Sequence, residues 1–254
     1  MPAVRELTEL YENLMLAPRA GPGVCTTCFN LTEGYERCYA CANQPNEIDV
    51  VAPISYSVAH EQLHHALASY KRLSGEVAER LGTQLAAVLW RFLDTHEQCV
   101  ARAAGADYFS MVTTVPSGGS ARDGDHPLCR IVAEVVGPTR ERHERLLRRT
   151  EAVVEPRAFD AEKFVALRPL NGEPVLLIED TWTTGANAQS AAAALRSGGA
   201  GPIAAVVIGR HMNRWWHQND RQLRGLEQPY DWRYCTICAP QQAGGELSVA
   251  KAAI

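Results

Sequence analysis

VLLIEDTWTTGANAQSAAAAL, residues 175–195, decides the fold. It opens on a short apolar run, Val175 to Ile178, the mark of a strand buried on both faces. That run ends at the adjacent acids Glu179 and Asp180. A short loop, Thr181 to Gly185, then leads into an Ala-rich helix. In an open parallel sheet, ligands bind beyond the carboxyl ends of the strands. Amides at a helix start, Thr hydroxyls and a glycine that lets backbone approach suit a phosphate. Two carboxylates at the other end of the loop suit vicinal hydroxyls through charged hydrogen bonds. A ribose 5-phosphate carries both groups.

Working outward, VVAPISYSV (50–58), YFSMVTTV (108–115) and PIAAVVI (202–208) read as further strands. Residues 3–16, 60–70, 75–104, 126–136, 140–149 and 188–196 read as helices. Strands alternating with helices predict an α/β fold with a parallel sheet flanked by helices. Trp215, Trp216, Tyr230 and Trp232 suggest a packed C-terminal cover, with core packing expected for Trp216. The best boundary falls after Asn43-Gln44-Pro45, giving residues 1–47 and 48–254 as the two expected units.

Composition is that of an ordinary globular chain, with 46% hydrophobic and 21% charged residues. A net charge of −4 gives no global attraction to phosphate backbones, which argues against direct nucleic-acid binding. No run approaches the ~18 to 20 apolar residues of a membrane span. The N-terminus carries no apolar secretory core, so a cytoplasmic location is expected.

In that reducing compartment, Cys favours metal over disulfides. Cys25-x2-Cys28 and Cys38-x2-Cys41 have the spacing of two zinc knuckles, and together they complete a tetrahedral four-sulfur site. Such a site, once filled, has no open position, so structural Zn2+ is the expectation. Cys99 and Cys129 stand alone in apolar surroundings and read as small core residues. Cys235-x2-Cys238 stays open between a half-site completed by a partner, a substitute for one knuckle, and two packed thiols.

No Walker A loop and no G-x-G-x-x-G after a strand competes for the phosphate. His60-Glu61-Gln62-Leu63-His64 spells the H-E-x-x-H pattern of zinc metallopeptidases, but it follows a strand directly. That activity is kept as a minor alternative.

IEDTWTTGAN resembles the phosphoribosyl pyrophosphate (PRPP) signature of type I phosphoribosyltransferases. The four-Cys ribbon ahead of it is similar to that of the ComF group in that superfamily. ISYS…LHHALASYK (54–71), ending in Lys71, and TTVPSGG (113–119) resemble further segments of the group. The resemblance implies a type I phosphoribosyltransferase-like sheet with an N-terminal zinc ribbon. It implies that Glu179 and Asp180 hold the ribose hydroxyls, and that Thr183, Thr184, Gly185, Ala186 and Asn187 wrap the 5-phosphate. Lys71 joins this PRPP-binding set, and Ser117, Gly118 and Gly119 would face pyrophosphate with Mg2+. Glu179, Asp180 and Arg122 form the expected catalytic set, with Arg122 closing over the pyrophosphate. The expected activity is transfer of phosphoribosyl to or from a nitrogen base or amine, and a homodimer is common for the fold.

Two departures stand out. Asn187 replaces the usual Thr or Ser, and SARDGDHPL replaces an Arg-rich stretch. With fewer cations for pyrophosphate, the alternative is a non-catalytic module that binds a nucleotide or ribose phosphate, its ribbon contacting a partner.

Overall fold

The computed structural model describes residues 3–116 and 126–240. Four strands form a parallel sheet: β1 (Val50–Val58), β2 (Met111–Thr114), β5 (Val175–Trp182) and β6 (Ile203–Met212). Their order is β1-β6-β5-β2. A short antiparallel pair, β3 (Leu147–Arg149) and β4 (Phe164–Ala166), stands apart. The helical segments are α1 (Val4–Glu9), α2 (Tyr39–Ala42), α3 (Gln62–Ser69), α4 (Glu76–Ala103), α5 (Pro127–Arg130), one π-helical turn (Ile131–Val135), α6 (Gly137–Arg140), α7 (Ala186–Ser197) and α8 (Asn219–Arg224). The chain is thus α/β, with helices flanking a parallel sheet. Among the described residues no helix is long and apolar enough to cross a membrane.

Alternation along the strands sorts the core onto two faces. Ala52, Ile54, Leu176, Ile178, Val206 and Ile208 meet α3, α4 and the π turn on one face. Val51, Val175, Leu177, Ala205 and Val207 meet α7 and the four-Cys ribbon on the other. α4 is long because nothing breaks it, and its inner face buries Leu85, Leu89, Phe92 and Leu93. α7 is mostly Ala, which lets it lie close on the sheet.

Three departures from the sequence reading have physical causes. Helix is expected over residues 3–16 but ends at Glu9. Beyond it the chain docks on the outer edge of β1, where Tyr56 donates its amide to Met15 O at 2.8 Å and Met15 donates to Ser55 Oγ at 2.8 Å. The basic stretch 140–149 is not one helix. Val112 N–H donates to Arg142 O, and Glu144 N–H to Val112 O, so this stretch runs along the free edge of β2 before entering β3. Arg142 is held there by a two-pronged pair with Glu97, at 2.6 and 2.9 Å. Third, Trp215 and Trp216 are exposed, at 84% and 62%. Only Tyr230 and Trp232 of that aromatic group pack against the core.

The ribbon shares a core with the sheet. Tyr56 of β1 is buried, and its hydroxyl donates to Phe29 O in the ribbon at 2.6 Å. Removing that hydroxyl strands a buried carbonyl. Tyr56→Phe is therefore expected to lower stability by about 1–2 kcal/mol in urea denaturation. No loss would show that the contact does not tie the ribbon to β1.

Candidate functional site

Glu179 and Asp180 lie at the carboxyl end of β5 and are both buried. As neighbours on a strand, they serve different faces. Asp180 meets the α3 side, where Tyr70 Oη donates to its Oδ2 at 2.5 Å and Lys71 Nζ at 2.9 Å. Burial and the Asp180 charge hold the Tyr70 phenol well above its ordinary pKa. Both bonds go to Oδ2, and Oδ1 takes no hydrogen bond among the described residues.

Glu179 continues the Val175–Leu177 side. Its Oε2 is buried and has no hydrogen-bond partner among the described residues. Burial, reinforced by the Asp180 charge, pushes its pKa up to about 8, against the pull of Lys71 and Lys163. Lys163 is itself buried, and that burial lowers its pKa. Burial thus favours the protonated form of the Glu179 carboxyl.

The loop beyond is shaped by Gly185, whose φ of 82° is left-handed. A Cβ there would overlap the Trp182 indole, so glycine is required twice over. Gly185 caps α7, and the Ala186 amide donates to Thr184 Oγ1 at 3.3 Å. Thr184 Oγ1 in turn donates to Arg157 O, and Gln44 Nε2 to Thr184 O. The amides of Gly185, Asn187 and Ala188 find no acceptor among the described residues, as expected of a first helical turn. Thr183 and Asn187 are exposed. Lys71, Glu179, Asp180 and residues 183–187 are therefore brought to one end of the sheet. Ser117, Gly118, Gly119 and Arg122 lie outside the described residues.

The Sγ atoms of Cys25, Cys28, Cys38 and Cys41 lie within 4.8 Å of one another. That arrangement can hold one metal ion and is compatible with structural zinc. Arg210 of β6 is fully buried beside it and donates to Cys28 Sγ, Cys28 O and Trp182 O. Burial opposes the Arg210 charge, but the Cys28 and Cys38 sulfurs outweigh it and hold its pKa above the ordinary value. A four-thiolate zinc site carries a formal charge of −2, and this guanidinium halves it.

The H-E-x-x-H segment is not arranged as one helical turn. His60 precedes α3 with a left-handed φ of 70°. Glu61 is occupied by Arg214 at 2.7 Å and Asn13 at 3.2 Å. Its two His are not among the metal-capable groups of the described residues.

A second such group does occur, formed by His96, Cys99, Cys235 and Cys238. Cys99 is thus not the isolated core residue expected of it. The signal was available: His96 and Cys99 are three residues apart on a helix, and Cys235-x2-Cys238 lacked a second pair. A cavity of about 180 Å³ lies near the amino end of β1, lined by Thr26, Phe29, Val51 and Ile237 among others. It is remote from the acids at the carboxyl end of β5, and the chemistry of the acids is the better guide to function.

Comparison with protein-family models and with curated proteins finds no match.

The raised Glu179 pKa sets a pH dependence. From about pH 4.5 to 8 the folded state holds a proton that the unfolded chain releases, so this group costs stability as pH rises. Glu179→Gln is expected to be more stable than the parent at pH 9 by roughly 3–5 kcal/mol relative to pH 5. Denaturant melts at both pH values read the difference. Equal slopes would mean that Glu179 ionises normally.

Proposed function

We propose that the chain binds PRPP with Mg2+ at the carboxyl end of β5 and is a phosphoribosyltransferase-type protein of the ComF-like group. The observation that carries this reading is the ordering along one loop. A buried acid pair comes first, then Thr184 and Gly185, then a helix start with unspent amides. In this reading the sugar's hydroxyls meet Asp180 Oδ1, and its 5-phosphate meets the amides of Gly185, Asn187 and Ala188.

The topology adds support. The chain leaves β2 toward α5 and the π turn on one face, and leaves β5 toward α7 on the other. Neighbouring parallel strands with connections on opposite faces open a crevice between their carboxyl ends. Pro116, where the described residues break off, lies just past the end of β2. In this reading a pyrophosphate group would fall beyond Thr114, while Ser117, Gly118, Gly119 and Arg122 lie outside the described residues.

The described residues offer no three-acid cluster for Mg2+. In this reading the ion would be brought by the substrate's diphosphate and not held by a preformed protein cage. When bound, it would neutralise the diphosphate leaving group. Lys71 and Tyr70 orient the Asp180 carboxylate. The Cys25, Cys28, Cys38 and Cys41 group, in the same reading, holds structural Zn2+ and braces the loop through Arg210.

A second reading is favoured by one observation. Asp180 is already paired with Lys71, and burial holds the Glu179 pKa above the ordinary carboxylate range. Little unspent negative charge is left to stabilise an oxocarbenium-like transition state. That favours a module that binds the ribose phosphate without transferring it, with no base or amine engaged.

Calorimetric titration of the chain with PRPP and Mg2+ tests the binding. Saturable heat is expected, and Asp180→Asn should weaken it by about tenfold or more. No heat, or equal affinity in Asp180→Asn, would overturn the assignment. Pyrophosphate release across a panel of bases and amines separates the two readings: turnover supports the transferase, and binding without turnover supports the module.

A further inference from the structure

The geometry points to a second zinc site, with three Cys and one His as ligands, built from His96 and Cys99 of α4 and Cys235 and Cys238 of the C-terminal segment. This inference does not rest on the PRPP reading. The two halves are far apart in sequence, with His96 and Cys238 separated by 142 positions. Their four ligand atoms nevertheless lie within 4.8 Å of one another.

The separations fit one tetrahedral ion. Zinc bonds of about 2.3 Å to sulfur and about 2.0–2.1 Å to nitrogen place S···S pairs at about 3.8 Å and S···N pairs at about 3.6 Å. Cys235 Sγ stands 3.4 Å from Cys238 Sγ, and Cys238 Sγ stands 3.6 Å from His96 Nδ1. Cys99 Sγ stands 4.0 Å from the same nitrogen. The Cys235 amide donates to Cys238 Sγ at 3.3 Å, inside the same turn.

A second observation comes from the imidazole. His96 Nε2 lies 3.0 Å from Trp232 O. A carbonyl only accepts, so Nε2 carries the hydrogen and Nδ1 presents its lone pair to the sulfurs. A metal-bound His uses its other nitrogen in this way to fix its tautomer. His96 is 2% exposed on the apolar inner face of α4, beside Phe92. Thiolate and imidazole ligands at tetrahedral spacing suit zinc, and four protein ligands make the site structural.

The site would staple a segment that has little regular structure. After α8, this segment is held by Tyr230 Oη to Ile54 O at 2.6 Å, by Arg91 stacked on Trp232 at 4.4 Å, and by the Cys235–Cys238 turn. The ion would join that turn to α4 across the whole chain.

Zinc content of the purified full-length protein is the first test. Two equivalents per chain are expected, falling to one in Cys235→Ser/Cys238→Ser. One equivalent in the parent, or two in that double variant, would overturn the site. Should the double variant fail to fold, Co2+ substitution of His96→Cys decides the matter. The variant is expected to keep two equivalents of Co2+. Its visible absorption should shift from that of one all-thiolate site plus one mixed thiolate–imidazole site to that of two all-thiolate sites. An unchanged spectrum would mean that His96 is not a ligand.

Discussion

A fully buried guanidinium must be compensated, and Arg210 holds the molecule together by the way it is compensated. Its hydrogen bonds reach Cys28 in the ribbon, Trp182 at the end of β5 and the backbone of its own strand. An unpaired charge at that depth would cost several kcal/mol. The ribbon sulfurs lie against the guanidinium and favour its charge, so the four-Cys group and the buried arginine are electrostatically matched. Through Trp182, the same cation sets the loop whose glycine has no room for a side chain.

The acid pair follows the logic of the strand. Adjacent residues point to opposite faces, so Glu179 and Asp180 meet different surroundings. Tyr70 and Lys71 keep Asp180 hydrogen-bonded, while Glu179 has a buried oxygen with no partner among the described residues.

Much of the frame was legible in the sequence. β1, β5, β6, α4 and α7 were readable because their residues are buried by one rule, an unbroken apolar run or a helical stripe. β3 and β4 were not, since three-residue strands carry too little pattern. The stretch 140–149 reads as a helix in charge and composition, yet it is drawn out along β2 by backbone bonds that no local propensity reports. At the site, the loop and its acids were readable from residue type. The pairing of Asp180 with Tyr70 and Lys71 was not, because it spans about 110 positions. The His96–Cys238 encounter was hidden for the same reason.

The outer strands have a consequence for self-association. Met15 occupies hydrogen-bonding positions along β1, which also carries the non-donating Pro53. The Arg142–Glu144 backbone does the same for β2. At those positions both flanks of the sheet are already met by chain, which shortens the open ladder that strand addition would need.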